Sequence, residues 1–420
     1  MDRFIIHGGK KLNGVVTVSG AKNATLALMP ATLLAGGKYE LRNTADLRDI
    51  TTMQRLLQTM GVEFKRDNHT LTLNTTRVNK FEAPYEHVKK MRASIYVLGP
   101  LVARYGYAKV SMPGGCAWGP RPVNLHIDGM KKLGADVQLE AGYIIARAKR
   151  LKAARVAFDV SSVGATGNVM MAAVLAKGTT LIQNAAMEPE IVQLAEFLVN
   201  MGAKIAGIGT NRLEIEGINA LHATDIETIP DRIEAGTFLI TGAMVGGEIR
   251  VARCKPNHLS ALLAKLKDAG AQISVGEDCV EVQAAEDIKP VDVTTAVYPG
   301  FPTDMQAQWI ALMSCSTGAA VVTETIYYDR FRHVFELNRL GANIELSKNV
   351  AVVRGVKKLT AAKVMSTDLR ASASLILAGL VAAGTTEVLR VYHIDRGYEK
   401  IEKKLQLLGA DIQRVSGEEF

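Results

Sequence analysis

The most reactive side chain in this sequence is a thiol. Cys116 lies in Pro113-Gly114-Gly115-Cys116-Ala117-Trp118-Gly119-Pro120-Arg121-Pro122. Three glycines and three prolines in ten residues exclude a helix interior and a central strand, so the stretch is a loop. A loop can tip its thiol into solvent. Arg121, five residues on, favours thiolate over thiol and is suited to hold an anionic substrate. The bland alternative is a surface turn whose cysteine is an inert small hydrophobe. Cys254, Cys279 and Cys315 are scattered, with no CxxC pair and no histidine cluster at metal-ligand spacing. That usage points to a reducing, cytoplasmic compartment without structural zinc.

A second set of chemical residues recurs at one spacing. Lys22, Arg92, Gly164, Arg232, Asp304 and Arg370 each precede a glycine by fourteen or fifteen mostly apolar residues. All six fall in the first turn of an apolar helix. Ordinary capping favours Ser, Thr, Asp or Asn there, with acidic residues in the first turn. Cations at a helix start oppose the macrodipole and cost a few tenths of a kcal/mol each. A cost repeated at equivalent positions implies a task. Three such helices side by side in a domain would bring their amino ends together, each with free backbone N–H groups, and the added cations would attract anions. Asp304, in Phe301-Pro302-Thr303-Asp304-Met305, is the odd carboxylate in this set. Among cations it stays ionised, which suits it to accept a proton from a hydroxyl.

The elements that position these residues are repeated. An amphipathic helix ending in glycine, followed by polar–apolar alternation, recurs at Gly61, Gly134, Gly202, Gly270, Gly341 and Gly409, 68 to 73 residues apart. In step with it runs an apolar helix, a glycine and a β-rich segment, at Gly37, Gly106, Gly178, Gly246, Gly318 and Gly384. The first copy reads as strand 15–19, helix 21–35 with Pro30 as a kink, strand 38–42, helix 46–60, and strands 62–65 and 70–74 about a turn at Asp67-Asn68. That is a βαβαββ unit, repeated six times. Helices apolar all round belong inside a domain, so the first helix of each unit is buried and the second lies outside. The expected fold is α/β, with three repeats in each of two domains. Domain A spans 20–229, and domain B spans 1–19 and 230–420, its last repeat completed by the N-terminal strand. Two chain crossings between the halves make a natural hinge over a cleft.

The bulk numbers exclude several classes. At 420 residues there is room for two or three full cores, built from aliphatic side chains because aromatics are 5%. The N-terminal stretch has no apolar signal core, and no apolar run approaches the roughly 18 residues of a membrane span. The net charge of +8 is dispersed, without a basic tail or aromatic interleaving, so it reads first as a solvated basic surface and next as suited to anionic small molecules, ahead of nucleic acid. Gly207-Ile208-Gly209 lacks the rest of a dinucleotide fingerprint, and no Walker A sequence or G-x-S-x-G elbow is present.

The same residues carry a family resemblance. Ser19-Gly20-Ala21-Lys22-Asn23, Met91-Arg92-Ala93-Ser94, Pro113-Gly114-Gly115-Cys116, Arg121-Pro122 and Ser162-Val163-Gly164-Ala165-Thr166 contribute to it. So do Pro230-Asp231-Arg232, Phe301-Pro302-Thr303-Asp304, Asp368-Leu369-Arg370 and Asp395-Arg396-Gly397-Tyr398. Over essentially its whole length the chain resembles the enolpyruvyl transferase family, in the branch that acts on UDP-N-acetylglucosamine. The resemblance implies a two-domain inside-out α/β barrel. It also implies transfer of the enolpyruvyl group of phosphoenolpyruvate to the sugar 3′-hydroxyl, through a tetrahedral ketal. Phosphate is released, and neither metal nor cofactor takes part. Such enzymes open peptidoglycan precursor synthesis in the cytoplasm and bind the epoxide antibiotic fosfomycin in place of phosphoenolpyruvate. The expected partners are those two small molecules, not nucleic acid or membrane, and a monomer is expected.

Carried onto this sequence, Cys116 is implied as the thiol that protonates phosphoenolpyruvate, and Asp304 as the base facing the sugar hydroxyl. Lys22, Arg121 and Arg396 are implied to hold the phosphate, with Lys22 and Arg396 also catalytic. Arg330 and Arg370 would serve the carboxylate side, and Asn23 borders both substrates. Arg92, Arg121, Pro122, Val123, Asn124, Leu125, Ser162, Val163, Gly164, Asp304 and Ile326 would complete the sugar-nucleotide site. The chain departs from the family pattern at Trp118, Asn124 and Val160. The nearest rival is 3-phosphoshikimate enolpyruvyl transferase, which shares fold and reaction but does not use this loop cysteine. A silent sugar-nucleotide-sensing paralogue is the rival of another class, and intact Cys116, Asp304 and Arg396 oppose it.

Overall fold

A computed structural model describes residues 2–112 and 123–417. Cys116, Trp118, Arg121 and Pro122 therefore lie outside the described residues.

The first repeat shows why the sequence folds as it does. Its elements are the strand Gly14–Thr17, the helix Lys22–Ala31, the strand Lys38–Arg42, the helix Arg48–Thr59, and the strands Glu63–Asp67 and Thr70–Asn74. The ends lie within a few residues of the periodicity reading. The helix Lys22–Ala31 buries every residue except Asn23 and passes through Pro30. Pro30 lacks the N–H that would bond Leu26, and two residues on the helix tightens into a 3-10 turn at Thr32–Leu34. The helix Arg48–Thr59 buries one face, Ile50, Met53, Leu56 and Leu57, and turns its polar face outward. The hairpin strand runs on to Asp67, so the turn falls at Asn68, which adopts a φ of 50°. All six glycines that end the second helices have positive φ, between 83° and 105°. A side chain there would be strained, which explains why glycine recurs at that spacing.

Each repeat supplies a four-stranded sheet with one topology. A short edge strand pairs parallel with the strand after the buried helix, and the hairpin completes the sheet antiparallel. In the first repeat Ile226–Glu227 pairs with Lys38–Arg42, which bonds Thr70–Asn74, which in turn bonds Glu63–Asp67. In four repeats the edge strand is the one that precedes the buried helix of the same repeat, whereas the first and fourth repeats receive theirs from another part of the chain. By internal contacts the chain divides into two compact units, Gly20–Ile229, and Met1–Ser19 with Pro230–Phe420. Ile226–Glu227 closes the first unit, because the end of the third repeat returns to the sheet of the first. In the second unit the N-terminal segment does that work twice. Gly14–Thr17 pairs parallel with Glu248–Ala252, and Arg3–His7 inserts between Thr385–Leu389 and Asp411–Val415.

Each unit has one aliphatic core under its sheets. At the centre of the second unit lie Arg232–Val245, Gln306–Met313 and Leu369–Val381, packed on one another. In the first unit Leu98–Tyr105 packs against Val163–Ala173 and against the 3-10 turn Thr32–Leu34. This is the mixed α/β, six-repeat fold that the period implied, with apolar helices inside and sheets outside.

Candidate active site

The six residues at the recurrent spacing do fall at helix starts. Lys22 and Arg232 are first residues of their helices, and Gly164 and Arg370 second residues. Arg92 opens the 3-10 turn Arg92–Val97 ahead of Leu98–Tyr105, and Asp304 lies in Thr303–Met305 ahead of Gln306–Met313. Ala21 and Met91, ahead of Lys22 and Arg92, make no side-chain cap, whereas the helices that carry Arg232, Arg370 and Gly164 are capped from the position before they begin. Asp231 accepts from the amides of Ile233 and Glu234, Asp368 from those of Arg370 and Ala371, and Ser162 Oγ from that of Ala165.

In the second unit three of the expected residues meet directly. Asp304 binds Arg330 through Oδ1 at 2.8 Å and Arg370 through Oδ2 at 3.1 Å. Both guanidinium groups are buried, whereas the carboxylate keeps 27% of its side-chain exposure. Thr303 Oγ1 accepts from Arg330 Nη1 at 2.9 Å and donates to Glu324 Oε2 at 2.8 Å. Fully buried Glu324 also accepts from Thr295 Oγ1 and from the amides of Ile326 and Tyr327. One carboxylate thus fixes the loop carrying Ile326 and, through Thr303, the arginine on Asp304.

Arg370 has a different support. Its guanidinium carbon lies 5.3 Å from the ring centre of Tyr398, whose hydroxyl bonds Thr237 and Gln308. Burial works against the Arg370 charge, but Tyr398, Asp304 and Asp231 outweigh it and hold the group above its usual range. Its Nη1 is buried without a hydrogen-bond partner among the described residues. Arg396 ends the 3-10 turn Val391–Arg396. Beside Arg330, burial and that guanidinium push His333 down to about 3, so it is neutral.

The expected residues of the first unit lie on three helix starts. Lys22 donates to Asp49 Oδ2 at 3.4 Å in a largely buried pair, and Asn23 follows it. Val123, Asn124 and Leu125 open the helix Asn124–Lys132. Ser162, Val163 and Gly164 open Val163–Ala173, and Arg92 lies near enough to His126 to act on its ring. A surface groove lined by Arg104, Tyr105, Tyr107, Arg147 and Lys149 contains none of these residues.

Sequence reasoning missed Glu324, His126, Asn168 and Gln308. A signal for two of them existed. Asn168 and Gln308 stand four residues after Gly164 and Asp304, one turn inside helices that are otherwise apolar. A fully buried amide at that place has to be bonding something specific.

The model of the family described as EPSP synthase (3-phosphoshikimate 1-carboxyvinyltransferase) matches residues 6–405. The chain belongs to this carboxyvinyltransferase family. Within it, a protein of Chloroherpeton thalassium named UDP-N-acetylglucosamine 1-carboxyvinyltransferase is 57% identical, with 100% of this chain and 99% of the relative covered. One of the same name from Geobacter metallireducens is 53% identical over 99% of this chain and 100% of its own. Among solved structures, the enolpyruvyl transferase NikO from Streptomyces tendae superposes with a TM-score of 0.90 at 26% identity, covering 99% of both chains. EPSP synthase from Acinetobacter baumannii shares the fold, with a TM-score of 0.76 at 17% identity over 99% of this chain and 100% of that one.

Proposed function

We propose that this carboxyvinyltransferase moves the enolpyruvyl group of phosphoenolpyruvate to the 3′-hydroxyl of UDP-N-acetylglucosamine, releasing phosphate. The observation that carries the reading is full-length identity of 57% to a protein named for that activity. Addition joins the hydroxyl oxygen to C2 of phosphoenolpyruvate while C3 gains a proton and the hydroxyl loses one. Elimination removes a proton from C3, restores the double bond and expels phosphate from C2. The chemistry needs an acid at C3, a base at the hydroxyl and cations on the phosphate and carboxylate. Cys116 is the acid and Asp304 the base. Lys22, Arg121 and Arg396 hold the phosphate, and Arg330 and Arg370 the carboxylate. The sugar nucleotide takes Asn23, Arg92, Arg121 with Pro122, Val123, Asn124 and Leu125, the start of Val163–Ala173 with Ser162, and Ile326.

The ion pairs add a step to this scheme. A carboxylate held by two guanidinium groups is a weak proton acceptor. When the substrate carboxylate draws on Arg330 and Arg370, Asp304 loses part of that stabilisation and becomes a better base. Deprotonation of the sugar hydroxyl is thereby linked to the presence of phosphoenolpyruvate. The cellular role that goes with the reaction is entry into peptidoglycan synthesis in the cytoplasm, with fosfomycin as an inhibitor.

The test is phosphate release from phosphoenolpyruvate. Release should require UDP-N-acetylglucosamine and should not occur with 3-phosphoshikimate. No release with UDP-N-acetylglucosamine would overturn the reading.

A further inference from the structure

The first unit contains a buried histidine with no assigned role. His126 is 5% exposed, on the helix Asn124–Lys132. Its Nδ1 lies 3.0 Å from Nδ2 of Asn168, which is fully buried in Val163–Ala173. The Asn168 amide has its orientation fixed by two backbone groups. Oδ1 accepts from the Gly99 amide at 2.6 Å, and Nδ2 donates to the Ile95 carbonyl at 2.9 Å. An amide N–H can only donate and a carbonyl can only accept, so exchanging the two ends of Asn168 would break both bonds. The remaining Nδ2 proton therefore points at His126 Nδ1, which must be the bare, accepting nitrogen. The ring proton then sits on Nε2. Burial, reinforced by Arg92, pushes the imidazole down to about 4, so the ring is neutral near pH 7.

That Nε2–H has no hydrogen-bond partner among the described residues. It lies at the start of Val163–Ala173, where a Cβ built on Gly164 would come 3.1 Å from Cε1 and 3.2 Å from Nε2. The amides of Val163 and Gly164 have no intrahelical acceptor at this end, and Arg92 is close by. A helix start and an imidazole N–H of a buried side chain meet at one place, within reach of the Arg92 charge.

We propose that His126 is a ligand-binding residue whose neutral Nε2–H donates to a diphosphate oxygen of the sugar nucleotide, and that Asn168 is the positioning residue that keeps the proton on that nitrogen. The proposal rests on the sugar-nucleotide reading given above. It assigns His126 a direct contact and gives the polar residue inside an apolar helix its reason.

Calorimetric titration with UDP and with uridine separates the possibilities, using wild type, His126→Phe and His126→Gln. Loss of one hydrogen bond to an anion should weaken UDP binding by His126→Phe about tenfold to a hundredfold, with uridine within about twofold and partial recovery in His126→Gln. Equal losses for UDP and uridine would make His126 merely structural, and an unchanged UDP affinity would remove the contact; either overturns the proposal. If the phenylalanine variant does not fold, nitrogen-15 spectra of the wild-type imidazole decide. Protonated Nε2, bare Nδ1 and a shift of Nε2 on adding UDP support it, and an Nδ1–H ring or an unmoved Nε2 overturns it. Wild type that binds neither UDP nor UDP-N-acetylglucosamine would instead overturn the functional reading itself.

Discussion

Replacing Asp304 by asparagine tests the ion-pair cluster and the base assignment together. The carboxylate is the acceptor for Arg330 at 2.8 Å and Arg370 at 3.1 Å, and the two arginine side chains are only 8% and 4% exposed. An asparagine has the same shape but one accepting atom, so one buried guanidinium would face an N–H group. Removing one partner of a buried pair costs about 3–5 kcal/mol. Asp304 is partly solvated and the amide oxygen keeps one of the bonds, so about 2–3 kcal/mol is expected. For a unit of about 200 residues that lowers its melting temperature by roughly 5–10 °C. Added phosphoenolpyruvate should stabilise the variant more than the wild type, because its carboxylate supplies the missing acceptor. Turnover should fall by about 10²–10⁴, since an amide cannot take the hydroxyl proton. Sugar-nucleotide affinity should stay within about tenfold, or roughly 1.4 kcal/mol. Scanning calorimetry and phosphate release read the two effects separately. An unchanged melting temperature would refute the claim that the arginines depend on this carboxylate, and near-normal turnover would refute Asp304 as the base.

Three further outcomes are expected. His126 and His333 are held near 4 and 3 against a usual 6.5, by burial first and then by Arg92 and Arg330. Their unfolded forms take up protons that the folded forms refuse, so the stability present above pH 6.5 is lost as pH falls toward 4 and 3, at about 1.4 kcal/mol per pH unit for each. Denaturant titrations at pH 7 and 5.5 should show the loss, and an unchanged slope in His333→Gln would contradict it. Fosfomycin should alkylate Cys116 alone by mass spectrometry, since burial pushes the Cys254 and Cys315 thiols up to about 11 and about 12. Cys116→Asp should keep measurable transfer and resist the drug, whereas Cys116→Ser, a far weaker acid, should lose most activity; an adduct on Cys279 would count against the assignment. Glu324→Gln can keep Oε1 with its three donors but then turns an N–H group toward Thr303 in place of the fourth acceptance, so the KM for phosphoenolpyruvate should rise several-fold through Arg330. An unaltered KM in a folded variant would mean that the Thr303 relay does not set that arginine.

By itself the sequence determined what depends on near neighbours along the chain. Helical and strand periods, glycines that must take positive φ, and helices too apolar to be surface elements are all local signals, and six copies made them legible. The same local logic located the cations and Asp304 at helix starts. It could not say what caps those helices, because Asp231 and Asp368 are recognisable as caps only once the helix begins one residue later. Nor could it pair Asp304 with Arg330 and Arg370, or give Glu324 its four donors. Asp304 and Arg370 come from different repeats, and Asp304–Arg330 and Thr303–Glu324 join separate segments of one repeat, so any of many polar side chains could have met them until packing chose. Tertiary structure alone decided the proton on His126. The order of side chains is silent on tautomers, and only the Gly99 amide and Ile95 carbonyl, brought against Asn168 by three packed helical segments, leave that amide a single orientation.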